Sequence, residues 1–199
     1  MSPDGDRRML TGRFREALVL ATALHRDQVR KGGAIPYISH LLAVCSIVLE
    51  HGGDEDEAIA ALLHDGPEDQ GGEATLELIG RLFGGWVMSI VSGCSDTFET
   101  PKPPWLERKQ AYLDHLASED VPRSVLLVSA ADKLHNLLTT IDDLESVGAT
   151  LWARFNSTPE QQVWYYRSLA EVYRARLGGR LAGAVTAAVE RLEAAIALS

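Results

Sequence analysis

The sequence predicts an all-α fold in a single domain, and three observations carry that expectation. Apolar residues recur at three- and four-residue intervals from end to end, strand-like alternation is nearly absent, and Gly or Pro interrupts the pattern at spacings suited to helices. No internal repeat, linker or low-complexity stretch divides the 199 residues, which are enough to bury a sizeable core. The polar start, residues 1–11, reads as a tail, and residues 12–199 as the domain.

Phe14, Leu18, Ala21 and Leu24 begin the first helical pattern, which is expected to run to Lys31, where Gly32-Gly33 breaks it. Pro36 opens a second helix to about Glu50, closed by His51-Gly52-Gly53. A third runs from about Glu55 to Asp65, where Pro67 ends the pattern. Gly84 separates two short helices, Gly72 to Phe83 and Gly85 to Cys94. The Pro-rich stretch from Asp96 to Pro104 is a loop, and Trp105 to Ala117 resumes helical character. From Pro122 to about Leu144 a long helix carries an apolar stripe of Leu127, Ala131, Leu134, Leu138 and Ile141. Gly148 closes it, Thr158-Pro159-Glu160 starts another helix, and Gly178-Gly179 precedes the last.

Composition narrows the function classes. A net charge of −9 argues against a nucleic-acid polymer as partner, because a phosphate backbone needs a basic face. A small anionic ligand remains compatible if cations gather locally. No apolar run approaches the roughly 18 residues that cross a bilayer, and the start is polar, so a cytoplasmic protein with no membrane partner is expected. Cys45 and Cys94 stand singly in apolar surroundings and read as reduced core thiols. Oligomeric state is not legible in the sequence.

The stretch with chemistry in it is Ala60-Ala-Leu-Leu-His64-Asp65-Gly-Pro-Glu68-Asp69. Apolar runs seldom finish in a histidine and three carboxylates for packing reasons, since buried carboxylates are costly unless paired or bound to a cation. His64 and Asp65 offer an imidazole and a carboxylate to one point; Glu68, about a turn later, reaches the same mouth without being a ligand. On the long helix, Asp132, Asn136 and Thr139 fall at i, i+4 and i+7 and share a face. Asp132 alone could be a buried carboxylate held by Lys133 or His135. His40 enters an apolar helix, where a lone histidine is commonly a satisfied core residue. Taken together, two imidazoles and two carboxylates from separate helices suit Mn²⁺, Fe²⁺ or Zn²⁺, with sites left for water and a phosphoryl oxygen. Arg30 and Lys31, just before a Gly-Gly turn, could face phosphate or complement a helix C-terminus. His25 and Gln28 read as supporting polar core, and Lys109 and Tyr112 as either pocket or amphipathic face.

The order and spacing of these residues resemble the HD metal-dependent phosphohydrolases, and among them the alarmone hydrolases. The resemblance rests on His25-x-x-Gln28-x-Arg30-Lys31-Gly32, Pro36-Tyr37-Ile38-x-His40, His64-Asp65-x-x-Glu68-Asp69, Phe83-Gly84 and Ala131-Asp132-Lys133-Leu134-His135-Asn136. It covers roughly residues 12 to 175 and is nearest to the single-domain members of the RelA/SpoT-type group. It implies a bundle of about ten helices and a Mn²⁺-dependent removal of the 3′-pyrophosphate from ppGpp or pppGpp. By position it implies His40, His64, Asp65 and Asp132 as metal ligands, and Glu68 and Asp69 as the pair acting on water and proton. It likewise implies Asn136 and Thr139 as nucleoside contacts and Arg30 and Lys31 as basic groups on the phosphate and base side. Tyr165 matches an aromatic substrate contact, with a core Trp-Tyr cluster as the other reading. Gly66-Pro67 stands where the family commonly has Thr-Val, which puts the aim of Glu68 and Asp69 in question. Two alternatives stay open: a phosphohydrolase of another nucleotide or phosphate ester, such as a nucleoside monophosphate or NADPH, and a catalytically silent module that binds metal or nucleotide.

Overall fold

Helices account for almost all regular structure in the computed structural model, which describes residues 9–97 and 101–198. Most of the polar start, and part of the Pro-rich loop, therefore lie outside the described residues. In chain order the helices are α1 (Gly12–Leu24), α2 (Ile38–Glu50), α3 (Glu55–Leu63), α4 (Gly66–Asp69), α5 (Gly72–Phe83) and α6 (Gly85–Cys94). There follow α7 (Trp105–Ala117), α8 (Arg123–Val147), a 3-10 turn (Gly148–Arg154), α9 (Pro159–Arg176) and α10 (Gly179–Leu198). The expected all-α bundle is what forms, and among the described residues the strand pairing is a single bridge, Val29 to Pro36.

Helix α8 lies at the centre. It packs against α2, α3, α6, α9 and α10, so its first half is surrounded: every residue from Val125 to Asp132 is buried. A helix apolar on all sides is one with neighbours on all sides. The stripe read from sequence is therefore too narrow here. Leu137, outside it, is fully buried, whereas Leu138 is only partly so. Inside this half, Ser129 Oγ shares hydrogen bonds with the hydroxyls of Tyr112 (2.6 Å) and Tyr173 (2.7 Å), tying α7, α8 and α9 together. Cys45 and Cys94 are buried free thiols, as expected.

Helix α3 is almost wholly interior, from Glu57 to Leu63, and its start is fixed by a capping box. The Asp54 carboxylate accepts from the Glu57 N–H at 3.0 Å, and Glu57 Oε2 accepts from the Asp54 N–H at 2.8 Å. That cap sets the start of the helix that leads into His64.

Two boundaries differ from expectation. The first helix stops at Leu24 rather than Lys31. Beyond it the backbone pairs with a later segment instead of its own preceding turn: Arg30 N–H donates to Ile35 O (2.8 Å) and Tyr37 N–H to Gln28 O (2.9 Å). Gly32, at φ 83°, supplies the left-handed residue of this small hairpin. The third helix ends at Leu63, and the chain turns through His64 and Asp65 before restarting as α4. Pro67 lies in the first turn of α4, where its missing N–H is not needed. Pro67 thus starts a helix where it was expected only to end one.

The central position of α8 has a measurable consequence. Leu137→Ala empties a site with 0% exposure, and large-to-small changes of this kind cost about 2–5 kcal/mol. Urea unfolding should show a lower midpoint of that order with an unchanged slope. A loss under about 0.5 kcal/mol, ordinary for surface positions, would mean that α8 is not the core.

Candidate metal centre

Four side chains meet where α2, the α3–α4 turn and α8 come together. His40 Nε2 lies 3.4 Å from Asp65 Oδ2 and 3.2 Å from Asp132 Oδ1. His64 Nε2 lies 3.2 Å from Asp65 Oδ2 and 3.7 Å from Asp132 Oδ1. The ligand atoms of His40, His64 and Asp65 all fall within 4.8 Å of one another. Both Nε2 atoms are buried and neither is aligned for a hydrogen bond, although the carboxylate oxygens stand close. Nitrogens and oxygens arranged this way face a shared point rather than one another, which is how a coordination site looks. The residues present therefore fit a divalent cation.

The surroundings orient each group. The His64 ring makes a 2.9 Å bond from Nδ1 to the Ala61 carbonyl, which requires Nδ1 to carry a proton and makes Nε2 the atom that faces the site. His40 Nδ1 pairs with His135 Nδ1 at 2.8 Å. Burial first, then the charges of His40 and Arg30, push His135 down to about 4, so it stays neutral and serves as the acceptor. The Tyr37 hydroxyl donates to Asp65 Oδ2 at 2.7 Å. Asp132 receives Lys133 Nζ at Oδ2 (2.5 Å) and Asn136 Nδ2 at Oδ1 (2.5 Å). Burial works against ionising either carboxylate, yet the facing groups win. His64 and His40 hold Asp65 well below the usual carboxylate range, and Lys133 and the histidines do the same for Asp132. Burial likewise opposes a charge on His64, but the two aspartates hold its ring well above the usual imidazole range. The cluster asks for positive charge at its centre.

Beside it opens a cavity of about 690 Å³. All five residues expected at the substrate, Arg30, Lys31, Asn136, Thr139 and Tyr165, line this one cavity. Arg30 Nη2 donates to Asn136 Oδ1 (2.9 Å) and Thr139 Oγ1 (3.3 Å), so the hairpin is fastened to the polar stripe of α8. Tyr165 lies in the aromatic cluster and also lines the cavity. Its ring meets Trp105, Trp164 and Tyr166, while its buried hydroxyl has no partner. Lys109, Lys133 and Arg154 also line the cavity, giving five cations against Asp142 and Asp143. A chain of net charge −9 has concentrated positive charge here.

The two carboxylates of α4 part company. Glu68 is half-buried and accepts from Lys102 Nζ at 2.7 Å, with Asp96 and Asp65 near enough to act on its charge. Asp69 is exposed and accepts from Gln28 Nε2 at 2.8 Å. Gln28 in turn bonds His25, whose ring stacks on Tyr37 at 5.0 Å. His25 and Gln28 are thus supports, as expected, and Gly66-Pro67 has not turned Glu68 out into solvent.

Sequence reasoning assigned no role to Tyr37, Lys102 or Arg154. Tyr37 was findable: it precedes His40 by three residues, a spacing that puts both on one helical face. Lys102 and Arg154 reach their positions only through the tertiary fold.

Comparisons with known proteins point to one family. A family model described as an HD domain matches residues 17–181. The bifunctional (p)ppGpp synthase/hydrolase SpoT of Escherichia coli K12 is 34% identical over 133 residues, or 64% of this chain. This chain spans 18% of the length of SpoT. The guanosine-3′,5′-bis(diphosphate) 3′-pyrophosphohydrolase MESH1 of Danio rerio is 35% identical over 61% of this chain and 66% of that protein. The solved structure of a metazoan ortholog of SpoT, described as hydrolysing ppGpp, superposes with a TM-score of 0.75 at 26% identity, covering 92% of this chain and 97% of its own. A match of this length, on a chain whose two histidines and two aspartates converge as they do, places the protein in the HD domain family.

Proposed function

We propose that this protein hydrolyses the 3′-pyrophosphate ester of ppGpp and pppGpp, releasing pyrophosphate with GDP or GTP. The observation that carries this reading is the His40–His64–Asp65–Asp132 cluster set beside a cavity with five cations. The names of the similar proteins, SpoT and MESH1, supply the substrate class. Among the described residues no helix is long and apolar enough to cross a membrane, and a free nucleotide substrate puts the work in the cytoplasm.

His40, His64, Asp65 and Asp132 would hold the ion, for which Mn²⁺ is the proposal; the same donors are compatible with Fe²⁺ or Zn²⁺. When bound, such an ion supplies Lewis acidity to a phosphoryl oxygen and makes water more acidic. Arg30 and Lys31 would take phosphate oxygens through charge-assisted hydrogen bonds. Asn136 and Thr139 would contact the nucleoside, and Tyr165 would offer an aromatic face with a free hydroxyl. Glu68 would accept the proton of the attacking water, with Asp69 assisting the transfer. The water oxygen bonds to phosphorus, the P–O3′ bond breaks, and the electron pair left on O3′ takes up a proton. The net charge of −9 favours a single nucleotide over a polynucleotide, whose phosphate backbone needs a basic face.

Purified protein supplied with Mn²⁺ and ppGpp should release pyrophosphate and GDP, separable by anion-exchange chromatography. Orthophosphate release, or turnover of NADPH in place of ppGpp, would assign a different phosphohydrolase; no turnover would leave a binding module. Two variants separate the roles. His64→Ala should lose the ion and the activity together. Glu68→Gln should keep the ion while kcat falls by about 10²–10⁴, the usual worth of general acid–base assistance. A Glu68→Gln enzyme as fast as the parent would move that work to Asp69.

A further inference from the structure

Glu68 stands among carboxylates. Asp96 and Asp65 both act on its charge, and burial and Asp96 together push its carboxyl above the usual range. Most nearby cations are committed elsewhere. Asp96 takes both Arg108 and Lys109, the latter at 2.7 Å. Lys133 is bonded to Asp132, and Arg30 to Asn136 and Thr139. Lys102 is the cation that meets Glu68, Nζ to Oε1 at 2.7 Å, and it works against both Asp96 and burial.

The backbone on each side favours a fixed approach. Lys102 is carried between Pro101 and Pro103-Pro104, whose rings lock φ and remove backbone freedom. Glu68 is carried on a helix begun by Gly66-Pro67. Two stiff segments therefore present the two side chains to each other. With side chains 23% and 43% exposed, such a pair adds little to stability, since exposed ion pairs contribute about 0–1 kcal/mol. Its effect should lie in aim, because a displacement of about 1 Å at a reacting group can cost roughly 10²-fold in rate.

We infer that Lys102 is a positioning residue for the proposed hydrolysis, holding Glu68 by Oε1 so that Oε2 faces the attacking water. The inference rests on the role proposed above for Glu68, and a double-mutant cycle tests it while keeping the two apart. Parent, Lys102→Met, Lys102→Arg, Glu68→Gln and Lys102→Met/Glu68→Gln would be compared in the Mn²⁺-loaded full-length protein with ppGpp. Lys102→Met should lower kcat by about tenfold, within the range a misplaced group costs, with KM, ion content and thermal midpoint unchanged. Lys102→Arg should restore most of the loss, and Lys102→Met should cost nothing further once Glu68→Gln is present. Full kcat in Lys102→Met beside an impaired Glu68→Gln would overturn the inference and leave the role of Glu68 standing. A rise in KM alone, or a loss that multiplies with that of Glu68→Gln, would also overturn it, by making Lys102 a substrate contact or an independent group. A fully active Glu68→Gln would overturn both assignments.

Discussion

The constraint on which this structure depends is the meeting of two carboxylates, Asp132 buried and Asp65 partly so, at one point at the edge of the core. Asp65 and Asp132 stand within 3.2–3.7 Å of the Nε2 atoms of His40 and His64. Two negative charges out of water would be prohibitive without compensation. The protein compensates in layers: Lys133 and Asn136 on Asp132, Tyr37 on Asp65, and two imidazoles whose outer nitrogens are already engaged. What remains is a concentration of donor atoms that a divalent cation completes.

The fold can be understood as what brings those atoms together. His40 lies on α2, His64 and Asp65 at the turn after α3, and Asp132 on α8, so no local segment could form the site alone. The capping box at Asp54 fixes the start of α3, and the all-round burial of the first half of α8 fixes the depth of Asp132. The hairpin after α1 then closes the cavity by fastening Arg30 to Asn136 and Thr139. Its turn passes close to the Arg154 side chain at Gly32, whose φ of 83° disfavours any other residue. Of the cations that line the cavity, Lys133 is bonded to the cluster through Asp132, whereas Arg30, Lys109 and Arg154 are held by Asn136, Asp96 and Asp143.

Helices and their ends were legible because Gly, Pro and capping residues act over a few residues. The same locality makes His40, His64, Asp65 and Asp132 stand out one by one, since each breaks an apolar pattern, whereas their convergence is tertiary and only the family resemblance joins them in the sequence. The end of α1 was not legible, since residues 25–31 contain no breaker and the hairpin is drawn by contacts with residues 35–37. Leu137 was missed for a related reason, because a single stripe cannot reveal a helix surrounded on every side. Lys102 meets Glu68 across 34 positions, and Arg154 reaches Gly32 from a region with no motif; such contacts exist only in the folded chain. Pro67 disfavours helix at the residue before it, a local effect visible in the sequence, whereas its place in the first turn of α4 comes from the fold.

The central claim is that the four side chains form one cation site. A crystal grown with Mn²⁺ and measured at the manganese absorption edge tests it most directly. The account predicts one anomalous peak per chain, within bonding distance of His40 Nε2, His64 Nε2, Asp65 Oδ2 and Asp132 Oδ1. A peak elsewhere, or none at these four atoms in crystals soaked to saturation, would contradict it.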